Sequence, residues 1–262
     1  MALDIDRYAH VDSSIQSWDP RLKIAALGFF VLSVAILKTL PMAISALIAA
    51  VIFHRISKLP RHFVMHGMMA AILFLLPFFI ILPFTYPTQN QTELVEFSFG
   101  WEGFRLACLI FIKAIAIILT SFTIFGSSRF DVSMIALQRL KCPKMLTQML
   151  LFTYRYTYTF LDDMKRMQTS MFARGFVPRA NLITLKTYGN FVGTLLVRSF
   201  ERTERIYHAM LSKGYQGEFH TLVTFKINRK DWLKFCLVVI VVVSLLSGEI
   251  FSGFTPAEKG WY

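Results

Sequence analysis

The sequence predicts an all-α integral membrane protein, with about five transmembrane helices and a cytoplasmic module of long amphipathic helices. Three observations predict it. Of 262 residues, 55% are hydrophobic and only 17% are charged, against about a quarter charged in an ordinary soluble domain. Twenty-six phenylalanines could not be hidden in one water-soluble globule without large exposed apolar patches. Apolar runs near spanning length recur along the chain, and Lys and Arg alternate between the loops that join them. Composition therefore argues against a soluble enzyme before any motif is read.

The elements follow in order. The first 21 residues carry Asp4, Asp6, Arg7, Asp12 and Asp19, which is not the pattern of a cleaved signal peptide. Ile24–Leu37 and Met42–Phe53 are uncharged runs of 14 and 12 residues. With flanks they become Leu22–Leu40 and Leu40–Ile56, close to the roughly 17–25 residues a bilayer needs. Pro41 suits the first turn of a second helix, so the reading is a tight hairpin of two short spans. One long kinked helix is the alternative. Val64–Phe84 is a third span, bent where Pro77 and Pro83 free carbonyls that neighbouring helices must cover. Leu106–Phe125 is a fourth, with a single charge at Lys113, and Leu233–Phe251 a fifth, with Lys234 and Glu249 near its ends. Strand alternation is almost absent. His220–Ile227 is the exception, a short hairpin or an extended link.

Charge sets the orientation. Arg7, Arg21 and Lys23 precede the first span, and Arg55, Lys58 and Arg61 follow the second. Thr85–Glu102 holds no Lys or Arg but carries Glu93, Glu96 and Glu102. Gly126–Asp231 holds 17 of the 28 basic residues, and the tail Ser252–Tyr262 only Lys259. Positive-inside counting places the N-terminus and Gly126–Asp231 in the cytoplasm and the C-terminus outside. The expected organisation is an N-terminal segment with four spans over residues 1–125, a cytoplasmic module over 126–231, and a last span with outer tail over 232–262. Within the module, Phe160, Met164, Met167 and Met171 recur at helical spacing, as do Phe200, Thr203, Tyr207, Met210 and Leu211. Charged residues fill the gaps, which makes both stretches amphipathic.

These two stretches form a repeat. DMKRMQTSMFARGF at 163–176 and RTERIYHAMLSKGY at 202–215 align at an offset of 39, sharing Arg166/Arg205, Met171/Met210 and Gly175/Gly214. Each copy ends small–basic–Gly–aromatic. Glycine there accepts the left-handed conformation that closes a helix. A basic residue just before it complements the helix dipole by about 0.3–1 kcal/mol. Two well-capped helices would explain that much. The motif's double occurrence after amphipathic helices on the cytoplasmic side adds a functional reading, two cationic tips that dock into acidic grooves. Arg174 can grip a carboxylate with two parallel bonds, whereas Lys213 is a point charge.

At these residues the chain resembles the transmembrane T component of energy-coupling factor transporters, and within it the CbiQ type of cobalt permeases. Ala173-Arg174-Gly175 matches the family's Ala-Arg-Gly motif in full, and Ser212-Lys213-Gly214 departs from it in two positions. Asp19, Pro20, Arg21 and Lys23 resemble the family's Asp-Pro-Arg-x-Lys opening. Thr153–Met167 and Leu195–Leu211 look like CbiQ, and the resemblance runs from about Ser14 to Trp232. It implies a non-catalytic scaffold in a bacterial or archaeal cell membrane, serving cobalt transport and cobalamin biosynthesis, with nickel or a vitamin such as biotin as other cargoes. Its implied partners are a cytoplasmic ATPase dimer that holds ATP and magnesium and a membrane subunit that binds the cobalt ion. A small accessory membrane subunit is a further implied partner. The motifs would be ATPase-coupling sites, supported by Arg166, Met171, Arg205 and Met210, and this chain would bind no cofactor, metal or nucleic acid. Loss of the guanidinium fork at Lys213 puts the strength of the second contact in question.

Other signals are weaker. The sequence has no GxxxxGK[ST] motif for phosphates and no HExxH, paired intramembrane carboxylates or Ser/His/Asp set. A membrane-embedded enzyme, the reading from another class, would need such groups. Cys108, Cys142 and Cys236 have no metal-ligand spacing. His62 and His66 are four apart but lack further ligands, so interfacial histidines suffice. Lys113 is an intramembrane charge, a functional candidate by default, facing either backbone carbonyls, the interface or a partner subunit. The methionine-rich faces are either ordinary core or an adaptable sliding surface.

Overall fold

The computed structural model describes residues 15, 16, 18–85, 100–217 and 228–254. The His220–Ile227 stretch, Glu93, Glu96, the acidic N-terminal residues before Ile15 and the tail beyond Phe254 lie outside these. The described residues form eight helices and no strand: α1 Pro20–Ile36, α2 Leu40–Ser57, α3 Arg61–Thr85, α4 Trp101–Gly126, α5 Phe130–Arg139, α6 Lys144–Ala173, α7 Leu182–Ser212 and α8 Arg229–Phe254. Two compact units result. Residues 142–217 carry α6 and α7, and the other six helices form a bundle. The expected module over 126–231 includes α5, which packs instead on α1 in the bundle.

Four segments are long and apolar enough to cross a bilayer: Leu40–Ser57, Gly67–Thr85, Trp101–Gly126 and Arg229–Phe251. The fifth expected span, α1, has 17 residues, at the lower edge of what spans a hydrocarbon core. The kinked-helix alternative for the first two spans does not hold. α1 stops at Ile36, α2 restarts at Leu40, and the Phe30 and Phe53 rings meet edge to face at 5.4 Å. In one continuous helix those residues would lie about 35 Å apart, so the chain folds back.

Helix α4 is the hub, packing most extensively on α2 and α3. Ala43, Ala46 and Ala50 put a fully buried small-residue face on α2, which lets backbones approach closely where lipid supplies no hydrophobic drive. Phe30 and Val34 of α1, Ala116 of α4 and Val242 of α8 are likewise fully buried. At Gly67 of α3 a Cβ would overlap the Phe122 ring of α4, so glycine sets that contact.

The Asp19-Pro20-Arg21-x-Lys23 motif has a structural account. Pro20 opens α1 with Asp19 as its N-cap. The Asp19 carboxylate accepts from the Arg21 backbone N–H at 2.9 Å and from its guanidinium at 3.2 and 3.0 Å. Such a cap is worth about 1 kcal/mol. Lys23 is fully buried, and its amine donates to the hydroxyls of Ser127 and Ser128. Ser127 is the C-cap of α4, so Lys23 places a cation at the negative end of that helix. The motif therefore ties the start of α1 to the α4–α5 turn.

Candidate coupling site

Helices α6 and α7 run in opposite directions within their unit. Asp163 pairs with Arg202 at 2.8 Å, the Phe176 and Tyr188 rings meet at 5.7 Å, and the Tyr215 hydroxyl lies 3.4 Å from the Gln148 side-chain oxygen. The last two contacts each join the segment just past the end of one helix to the first turns of the other, and the ion pair lies between them, about two-thirds of the way along both helices.

Both repeat copies end in the same backbone geometry. In the first, Gly175 N–H donates to Phe172 C=O at 2.9 Å and Phe176 N–H to Met171 C=O at 3.2 Å. In the second, Gly214 N–H donates to Leu211 C=O at 2.9 Å and Tyr215 N–H to Met210 C=O at 3.0 Å. Gly175 and Gly214 have φ of +79° and +81°. This is the Schellman closure, which satisfies orphan carbonyls and is commonly accompanied by apolar contact between its first and last residues. The repeated methionine (171, 210) and aromatic (176, 215) are those positions. Nothing lies within 4 Å of a Cβ built at either glycine, so backbone conformation, not space, requires glycine there.

The basic residues stand on the C-caps. Arg174 and Lys213 cap α6 and α7, are exposed, and make no ion pair among the described residues. Ser212 donates its hydroxyl to His208 C=O at 2.9 Å. That side chain is thus spent within its own helix, and Ser212 presents outward much as Ala173 does. Arg166 and Arg205 are also exposed, two turns back from the tips, while Met171 and Met210 are half-buried. Between Met164 and Ser199 every charged residue is basic: Lys165, Arg166, Arg174, Arg179, Lys186 and Arg198.

The ion pair ties the repeat together. Asp163 and Arg202 are the first residues of the two copies, so the bond joins equivalent positions. Arg174 and Lys213 each lie 11 residues beyond it, about 16 Å of helical rise in opposite directions. The α6–α7 pair is therefore pseudo-two-fold about this ion pair, with one cationic tip on each arm. The Arg202 guanidinium also lies 6.0 Å from the Phe160 ring centroid. Two clefts flank the pair. One, of about 470 Å³, lies among Met149, Tyr156, Phe160, Tyr207 and Met210. The other, of about 420 Å³, lies among Phe160, Met164, Val192 and Leu196. Methionine lines both, and no residue of α7 is buried.

Lys113, whose role the sequence left open, and Glu249, to which the sequence assigned none, both find partners in the bundle. The Lys113 amine donates to the carbonyls of Ala35 and Leu37, both at 2.7 Å, so it faces backbone carbonyls. Glu249 accepts from the backbone N–H groups of Lys38 and Thr39. Its role was missed, although an acid within an apolar span was the available signal. The His62/His66 expectation falls on side chains outside those described.

The cobalt transport protein family, CbiQ, matches residues 12–223. An uncharacterized protein of Methanocaldococcus jannaschii is 23% identical over 92% of this chain and 84% of its own length. Proteins named energy-coupling factor transporter transmembrane protein EcfT are similar as well. The one from Heliobacterium modesticaldum is 22% identical over 82% of this chain and 85% of its own length. That from Streptococcus equi is 26% identical over 93% and 95%. With the family match spanning most of the chain, both repeat copies included, the chain belongs to the EcfT/CbiQ family of transmembrane components of energy-coupling factor transporters.

Proposed function

We propose that the chain is the non-catalytic scaffold of an ATP-driven uptake transporter, carrying motion from a cytoplasmic ATPase dimer to a separate substrate-binding membrane subunit. The observation that carries this reading is the pseudo-two-fold pair of basic Schellman ends. A partner with two equivalent acidic grooves, as a dimer has, would take one tip in each. Arg174 and Lys213 are the contact residues, with Arg166 and Arg205 behind them, and Ala173 and Ser212 keep the approach small. ATP and magnesium belong to the ATPase chains.

The cargo reading is cobalt, held by the partner membrane subunit, and it is supported by the description of the matching family. Nickel or a vitamin such as biotin is the second reading, since the relatives named EcfT carry no cargo in their names. The chain sits in the cell membrane with its N-terminus and α6–α7 in the cytoplasm, and α1 is its short fifth span. Charge supports this, because the segment holding α6 and α7 is the most basic part of the sequence. The test is to express the chain with its neighbouring ATPase and membrane-subunit genes and measure uptake of labelled cobalt, nickel and biotin. Cobalt uptake that requires this chain and hydrolysable ATP supports the reading. ATP-dependent uptake of biotin alone refutes the cobalt part.

A further inference from the structure

We propose that Lys113 and Glu249 form a two-charge clasp that closes the α1–α2 turn onto α4 and α8, acting as positioning residues and not as ligands for cargo. The need for a clasp follows from the backbone. α1 ends at Ile36 and α2 begins at Leu40, so carbonyls at the end of one helix and N–H groups at the start of the next lack partners within their helices. Where such a turn is packed against neighbouring helices and away from water, its groups need partners inside the protein.

The partners come from far along the chain. The amine of Lys113, on α4, donates to the carbonyls of Ala35 and Leu37 at 2.7 Å each. The carboxylate of Glu249, on α8, accepts from Lys38 N–H at 2.8 Å, Thr39 N–H at 3.1 Å and the Thr39 hydroxyl at 2.6 Å. Thr39 is the N-cap of α2, yet its hydroxyl makes no local cap bond, so Glu249 takes that role. The signs suit the helix dipoles, with a cation at the C-terminus of α1 and an anion at the N-terminus of α2. Two opposite charges thus hold a turn of three residues from two sides. Leu37, within that turn, is 1% exposed. The clasp closes only when the last helix is in place, 210 residues after Thr39.

The turn can be watched directly, without reference to transport or cargo. Leu37→Cys is introduced into the full chain in native membranes, with Cys108, Cys142 and Cys236 replaced, and its reaction with a water-soluble maleimide is timed. Slow labelling is expected with both charges present. Lys113→Met or Glu249→Gln should each speed it at least tenfold. Lys113→Arg, which can still donate to both carbonyls, should restore protection. The double variant should be faster than wild type by clearly less than the product of the single effects, because both charges close one turn. Thr39→Val removes only the hydroxyl bond and should give a smaller rise, which keeps the test open if the charge variants fail to accumulate. Unchanged labelling in the charge variants or in Thr39→Val, no rescue by Lys113→Arg, or a double effect equal to the product would overturn the clasp.

Discussion

Replacing Arg174 by alanine separates docking from folding at the coupling tip. The closure of α6 uses backbone groups alone, Gly175 N–H to Phe172 C=O and Phe176 N–H to Met171 C=O. Arg174→Ala leaves both bonds in place. The helix loses a favourable charge at its C-terminus, about 0.3–1 kcal/mol, and gains a residue of higher helix propensity. Stability should therefore change by less than about 1 kcal/mol. Docking should change far more. Truncating one partner of a buried, hydrogen-bonded charge pair costs about 2–5 kcal/mol, a weakening of at least about 30-fold. The assay titrates the purified ATPase dimer against membranes holding wild type or Arg174→Ala, with metal uptake measured in parallel. Gly175→Ala is the control, since it keeps the charge but strains a backbone at φ +79° by about 1–2 kcal/mol. Normal ATPase binding and uptake by Arg174→Ala would rule out Arg174 as a docking contact. So would a loss no larger than that of Gly175→Ala.

Lys213→Ala should weaken ATPase binding less than Arg174→Ala, and Lys213→Arg should be tolerated, because a point charge loses no fork geometry on replacement; abolished co-purification for Lys213→Ala alone would reverse the ranking. Asp163→Arg sets two cations face to face across α6 and α7 and should lower uptake. Adding Arg202→Asp should restore it, since a pair with 29% and 23% side-chain exposure is worth at most about 1 kcal/mol and tolerates exchange. An unrescued double variant would show that the Asp163–Arg202 bond does not hold α6 and α7 together. For topology, single cysteines at Gly126 and Gln216 in a cysteine-free background should resist an impermeant thiol reagent in intact cells, while one at Thr255 should react. Reaction at 126 or 216 would invert the chain.

Much of this was legible in sequence because its causes are local. The repeat ends could be recognised as capped helices from Gly175, Gly214 and the residues beside them, and both have the glycine conformation that capping requires. Apolar runs located the spans, and Pro41 marked the restart of α2. Nonlocal bonds were illegible. Nothing near Lys23 in sequence points to Ser127 and Ser128, more than a hundred residues away, or near Glu249 to Thr39. Helix α5 was missed because it has only ten residues, fewer than three turns, too short to stand apart from the long helices on either side. The pseudo-two-fold character of α6 and α7 needed the structure, because the 39-residue offset is a sequence property while the Asp163–Arg202 bond across it is a tertiary one.

Coupling of ATPase subunits to a substrate-binding membrane subunit through two basic tips, set at equivalent positions of the repeat, has a direct consequence for the assembled complex. Purifying the complex through a tag on this chain and measuring bound ATPase and ATP hydrolysis tests it most directly. Two ATPase chains per copy should be recovered from wild type, with ATPase binding weakened when Arg174 is replaced and further when Lys213 is replaced as well. Recovery of the same ATPase dimer with the doubly substituted Arg174→Ala, Lys213→Ala chain, at undiminished uptake, would contradict it.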